Sequence, residues 1–139
     1  MPWKLPPAWA QLRFPNRRIE LLAWLQELSD ANQQDLRWNS EYQRTSHTAE
    51  GIDEVFHFFF DDTDLAGNPS AEIGVSLLGP DEVVSISALT DLLDRLADEL
   101  GDRDSDTYRR HPRWPQVIEL SQAALTNLLK AGEPQWEEH

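Results

Sequence analysis

Residues 55–73 read VFHFFFDDTDLAGNPSAEI, and how this stretch is taken decides the fold. Four phenylalanines run into three aspartates, then into Gly67, Asn68 and Pro69. With Ile52 included, Val55, Phe56, Phe59 and Phe60 fall at i+3, i+4, i+7 and i+8, which is one buried stripe of a helix. A strand would need strict alternation, and Phe58–Phe59–Phe60 breaks it. The spacing predicts a helix over 51–64, with Phe56, Phe59 and Phe60 inside and an acidic end.

That acidic end invites a calcium reading. Counted from Asp62, Asp64 falls at position three and Gly67 at position six of an EF-hand loop. Ala66 then stands at position five, Pro69 at position eight, and Ile73 at position twelve, where a bidentate carboxylate belongs. Glu72 comes one residue early. Asp61, Asp62 and Asp64 are therefore read as a solvated helix end, with Asn68 capping the next segment and no metal expected. Glu54 and His57 form one E-x-x-H pair, but a carboxylate-bridged di-metal bundle needs two such pairs and two further glutamates.

Working outward, the next segment is ambiguous. Ile73, Val75 and Leu77 alternate, yet no clear second strand exists to pair with them, so AEIGVSLLG is read as helical or irregular. Gly79–Pro80–Asp81–Glu82 is a helix start with acids in the first turn. Ile86, Leu89, Leu93, Leu96 and Leu100 then step by three and four up to Gly101, predicting a helix over 80–101. DRDSDTYRRH reads as a charged loop. A last helix is expected over 113–130, with Val117, Ser121, Ala124, Leu125 and Leu128 on its inner face.

On the N-terminal side, Asn16 can cap a helix over 16–29 whose face is Ile19, Leu22, Ala23, Leu25 and Leu28. Ser29 or Asp30 caps a short helical segment towards Trp38, and NSEYQRTSHTAEG reads as a loop. Pro2, Pro6, Pro7 and Pro15 make residues 1–15 an extended arm, and Trp3, Trp9 and Phe14 make it too apolar to hang free. The expected architecture is all-α: a single domain of four main helices over 16–131, an extended Pro/Trp-rich arm over 1–15, and a flexible tail over 132–139.

Composition bounds the function. The 139 residues suit one domain with a core of its own. The absence of cysteine excludes disulfides and thiolate zinc sites and suits a cytoplasmic protein. The N-terminus lacks the apolar run of a signal peptide, and no apolar run approaches membrane-spanning length. A net charge of −13 disfavours nucleic acid as a partner and favours attraction to something basic. The charge is uneven: Asp91, Asp94, Asp98, Glu99, Asp102, Asp104 and Asp106 face only Arg95 and Arg103 within 91–106. No phosphate loop, dinucleotide fingerprint, nucleophile elbow or H-E-x-x-H occurs.

Three stretches together carry a resemblance: RRIELLAWLQELSDANQQDLRW, DEVFHFFFDDTDLAGNPSAEIGVSLLGPDEV and YRRHPRWPQVIELSQAAL. They resemble a family of small uncharacterised bacterial proteins named after an actinobacterial locus, over most of residues 17–128. The shared elements are structural, so the resemblance implies a fold and lends no chemistry. By class analogy, small acidic bacterial proteins include immunity proteins that neutralise toxins. The expected function is a non-enzymatic acidic binding protein, an immunity or antitoxin-type inhibitor of a basic toxin, using no cofactor. Asp94, Asp98 and Asp102 are the expected electrostatic face, with Trp3, Trp9 and Trp114 as aromatic anchors. The arm leaves room for a homodimer. The competing expectation is a small enzyme or metal- or ligand-binding protein with a pocket near Asp61–Asp64 and His57. A further question is whether Arg109, Arg110, His111 and Arg113, clustered beside Trp114, neutralise neighbouring acids or hold an anion.

Overall fold

A computed structural model describes residues 3–38 and 51–136, with side chains at 4–38 and 51–135. The fold is all-α, with six α-helices among the described residues rather than four main ones. These are α1 (Pro15–Leu28), α2 (Ala31–Arg37), α3 (Ile52–Phe56), α4 (Pro80–Leu100), α5 (Ser105–Arg109) and α6 (Trp114–Leu129). The three long helices form the frame, with α6 packed against both α1 and α4. The loop expected at 39–51 falls almost wholly outside the described residues.

Local chemistry explains the additions. Asp30 accepts hydrogen bonds from the Asn32 and Gln33 amides and so starts α2. Asp104 does the same for Thr107, and the expected charged loop carries α5 instead. Both helices place a charged residue in their last turn, Arg37 and Arg109, where the helix dipole favours a cation.

The opening stretch is helical, as its spacing predicts, but α3 passes at His57 into a π-helix over His57–Asp62. The wider i→i+5 turn admits one extra residue and turns two neighbours inward. Phe58 and Phe59 are both buried, with rings edge-on at 5.0 Å. Phe56 and Phe60, expected inside, are half-buried and pack on each other, and Phe56 also meets Tyr108. Leu125 is likewise half-buried, whereas Ile86, Leu89, Leu93 and Leu96 are in the core as expected. A 3₁₀ turn (Pro69–Glu72) takes in the first two residues of AEIGVSLLG, and the rest is irregular chain closed by one Ile73–Leu77 bridge.

The inner face of α1 is Arg18, Leu21, Leu22, Leu25 and Leu28. Ile19 is only half-buried and Ala23 is exposed, so the expected stripe is shifted by one position. The arm packs across the body through a 3₁₀ turn, Pro7–Trp9, with Trp9 1% exposed. Its first described residues, β1 (Trp3–Lys4), pair antiparallel with β2 (Gln135–Trp136), two residues a side. The expected flexible tail at 132–139 is thus joined to the arm at 135–136. Gly132 permits the approach: its φ is +99°, and a Cβ there would stand 2.8 Å from Pro6.

Candidate functional site

Two arginine–glutamate pairs fix how the acidic segments lie. Arg18 is fully buried, and its guanidinium holds Glu82 at the start of α4 through two hydrogen bonds of 2.7 and 2.8 Å. It also donates to the Ser76 and Leu128 carbonyls and stacks over the Trp9 ring at 5.1 Å. Next to it, Arg17 reaches Glu72 at 3.1 Å. Glu72 is 1% exposed and also accepts from the Ser76 hydroxyl and the Asp64 amide. Buried charges survive when paired and hydrogen-bonded. Both nodes tie α1 to the 62–82 segment, and α4 is aimed by the Arg18–Glu82 pair. None of these four residues stands out from sequence as part of a pair. The available signal is periodic: Arg18 lies on the stripe of Leu21, Leu22 and Leu25, and Glu82 lies on that of Ile86 and Leu89.

So aimed, α4 presents Asp91, Asp94, Asp98, Glu99 and, just past its end, Asp102, all exposed. Of the carboxylates expected to form the electrostatic face, Asp94 and Asp98 stand on α4 and Asp102 follows its end. Glu99 is held at 3.0 Å by His111 Nε2, while His111 Nδ1 accepts the Arg113 amide, which makes Nε2 the proton-bearing nitrogen. Asp91, Asp94, Asp98 and Asp102 make no ion pair among the described residues. Asp91, Asp94 and Asp98 lie in the C-terminal half of α4, whose last turn holds no basic residue. A helix C-terminus is the negative end of the dipole, so carboxylates there oppose it. At the same end the Tyr108 phenol donates to the Gly101 carbonyl at 2.7 Å. Burial pushes its pKa above the usual tyrosine value, and the charges of Asp53 and Asp102 push the same way.

Residues 12–135 match a domain of unknown function, DUF7945. The chain belongs to that family. No curated protein and no solved structure matches it.

The DUF7945 span takes in both arginine–glutamate nodes and the acidic end of α4, and it leaves out Trp3 and Trp9. Of the expected aromatic anchors, Trp9 lies under Arg18, and Trp114 is 3% exposed. Trp114 meets Trp38 edge-on at 6.0 Å and donates through Nε1 to Gln34, a buried amide that itself donates to the Glu27 and Leu28 carbonyls. A docking anchor must be presented at the surface, and these two rings are not. Both are core residues rather than the contact residues expected. The Trp3 side chain lies outside the described ones.

The competing site of the DUF7945 domain is open to solvent. His57 Nδ1 and Asp61 stand 2.9 Å apart with side chains 60% and 65% exposed. Asp62 and Asp64 are exposed as well. The loop is shaped by Thr63, whose hydroxyl donates to the Phe58 carbonyl, and by Glu72 accepting the Asp64 amide. Among the described residues no group of three or more His, Cys, Asp or Glu side chains could hold a metal ion.

The basic cluster divides. Arg109 pairs with Asp35 and Asp106, which is charge compensation, while His111 holds Glu99 by a hydrogen bond. Arg113 makes no ion pair among the described residues. It lines a groove between α4 and α6 together with Arg95. Among the described residues no helix is long and apolar enough to cross a membrane.

Proposed function

We propose that this domain is a non-enzymatic binding protein that covers a basic protein partner with the acidic end of α4, as an immunity or antitoxin-type inhibitor covers a basic toxin. One observation carries the reading. Asp94 and Asp98 on α4 and Asp102 just past its end are exposed carboxylates without an ion pair among the described residues, and Asp98 stands in the last turn, where the dipole disfavours it. The placement of Asp98 costs the isolated fold about 0.3–1 kcal/mol. An arrangement that weakens the free protein is what an electrostatic docking face requires. The −13 charge of the chain supports the same reading, because it raises the encounter rate with a cationic surface.

The test uses the protein encoded beside this gene, expressed and mixed with the domain. Its association rate is measured by stopped-flow fluorescence at low and high salt, with Asp94, Asp98 and Asp102 native or all reversed to lysine. The reading expects a rate that falls as salt screens the charges over about 10 Å at 0.1 M. It expects a further fall in the triple reversal, and loss of protection when the neighbour is toxic to cells. A neighbour that binds with a rate indifferent to both changes, or that does not bind, overturns it. The exposed His57–Asp61 pair favours no second reading.

A further inference from the structure

The DUF7945 domain carries a groove of about 480 Å³ between α4 and α6, lined from α6 by Gln116 and Leu120. Its size falls within the range of about 300–1,000 Å³ usual for small-molecule sites. Ala88, Leu92 and Leu120 form its apolar lining. Arg95 from α4, Arg113 from the start of α6 and Gln116 from the first turn of α6 contribute the polar groups. Neither guanidinium has an ion-pair partner among the described residues, although the chain has 25 acids against 12 Lys and Arg. Asp91 also lines the groove without pairing to either. Two like charges brought to one cleft repel each other, and the single carboxylate of Asp91 offsets only part of their charge.

We infer that this groove binds a small organic monocarboxylate, its carboxylate gripped between Arg95 and Arg113 and its hydrocarbon part against Leu92 and Leu120. The charge sum selects the ligand. Two arginines and Asp91 leave a formal charge of +1, which suits a monoanion better than a phosphate dianion. Arginine's planar fork matches a carboxylate in two parallel hydrogen bonds. The Gln116 amide adds a donor, and the positive end of the α6 dipole lies beside it. The leucines have no use for inorganic phosphate and favour an apolar body. This site shares only Asp91 with the acidic run of α4 and uses none of Asp94, Asp98 and Asp102, so either can fail alone.

The probe is benzoate, titrated into the full chain at low salt and followed by backbone amide chemical shifts. The expected result is saturable shifts at residues 88–95 and 113–120. Arg95→Gln and Arg113→Gln should each weaken binding by about tenfold, and neutral benzamide should bind about tenfold more weakly than benzoate. Both arginines are exposed, so these variants keep the native melting temperature. Arg113→Lys should fall between wild type and Arg113→Gln, because it keeps the charge and loses the fork. Absence of saturable shifts, equal affinity for benzamide, tighter binding of inorganic phosphate, or indifference to both glutamine substitutions overturns the inference.

Discussion

Arg18→Met is the perturbation that tests the frame most directly. Methionine keeps most of the length and apolar stem of arginine and removes the guanidinium. In the native protein that group satisfies both oxygens of Glu82 and the carbonyls of Ser76 and Leu128, at 0% exposure. Its loss leaves a carboxylate with 9% side-chain exposure and only the Leu78 amide as donor. Removing one partner of a buried pair costs about 3–5 kcal/mol. A domain of this size has about 5–15 kcal/mol in all, so the variant should fold but sit near its limit. With a urea dependence of about 2 kcal/mol per molar, the midpoint falls by about 2 M. Tryptophan fluorescence reads the transition, and Trp9, directly under Arg18, reports the site itself.

The double variant Arg18→Met/Glu82→Leu separates charge from packing. It leaves no unpaired buried charge, only the Leu78 amide and two carbonyls without their partners. Replacing a buried ion pair by apolar groups is often close to neutral. The double variant should therefore be more stable than Arg18→Met alone by at least about 1 kcal/mol. Added salt should change neither difference, since a buried pair is screened little. A cost below about 1 kcal/mol for Arg18→Met, or a double variant no better than the single, would refute the reasoning.

Three further outcomes rest on particular residues. Asp98→Lys should raise the stability of the free domain by about 0.3–1 kcal/mol, because it places a cation at the negative end of α4; thermal unfolding with no partner present checks it. Gly132→Ala should cost about 1–3 kcal/mol, since φ is +99° and the new Cβ would meet Pro6, and it should expose the arm to proteolysis. Tyr108 has a raised folded pKa, so its contribution is intact below about pH 10, where both states are protonated. As pH rises past that value the unfolded chain ionises first and stability falls until the folded value is passed. Tyr108→Phe should remove this alkaline loss in urea titrations between about pH 9 and 12, apart from the uniform cost of the lost Gly101 hydrogen bond.

The division between what the sequence makes legible and what it hides comes from what periodicity can carry. Ile86, Leu89, Leu93 and Leu96 repeat over 21 residues of α4, and the start, end and buried face of that helix are all readable. The start of α1 is readable to within one residue. The π-turn is not, because Phe58, Phe59 and Phe60 are equally apolar and nothing in their identity says which two face inward. In α5, Asp104 and Thr107 form a cap within a run of charges that otherwise reads as loop. The short β1–β2 pairing joins the two ends of the chain through two residues each, too few for any alternation to register.

The hidden part of the candidate site has one common cause. Arg18 with Glu82, Arg17 with Glu72, and Arg113 with Arg95 are separated by 64, 55 and 18 positions, and a spacing rule reaches only three or four. Each residue alone reads as ordinary surface charge. Two of the six betray themselves by standing on a leucine stripe, since a charge at a core position implies a partner of opposite sign. Arg18 and Glu82 are those two, and they end up bonded to each other. Arg95 and Arg113 stand on no such stripe. Only the packing of α6 on α4 brings them to one groove, and the same packing leaves Asp94 and Asp98 outside it. Charge on this chain is thus sorted into three environments by helix packing. One is neutralised in the core, one is displayed at the end of α4, and one is held unpaired in the α4–α6 groove. A single net charge of −13 conceals that sorting, and the acidic face and the cationic groove have to be tested separately because of it.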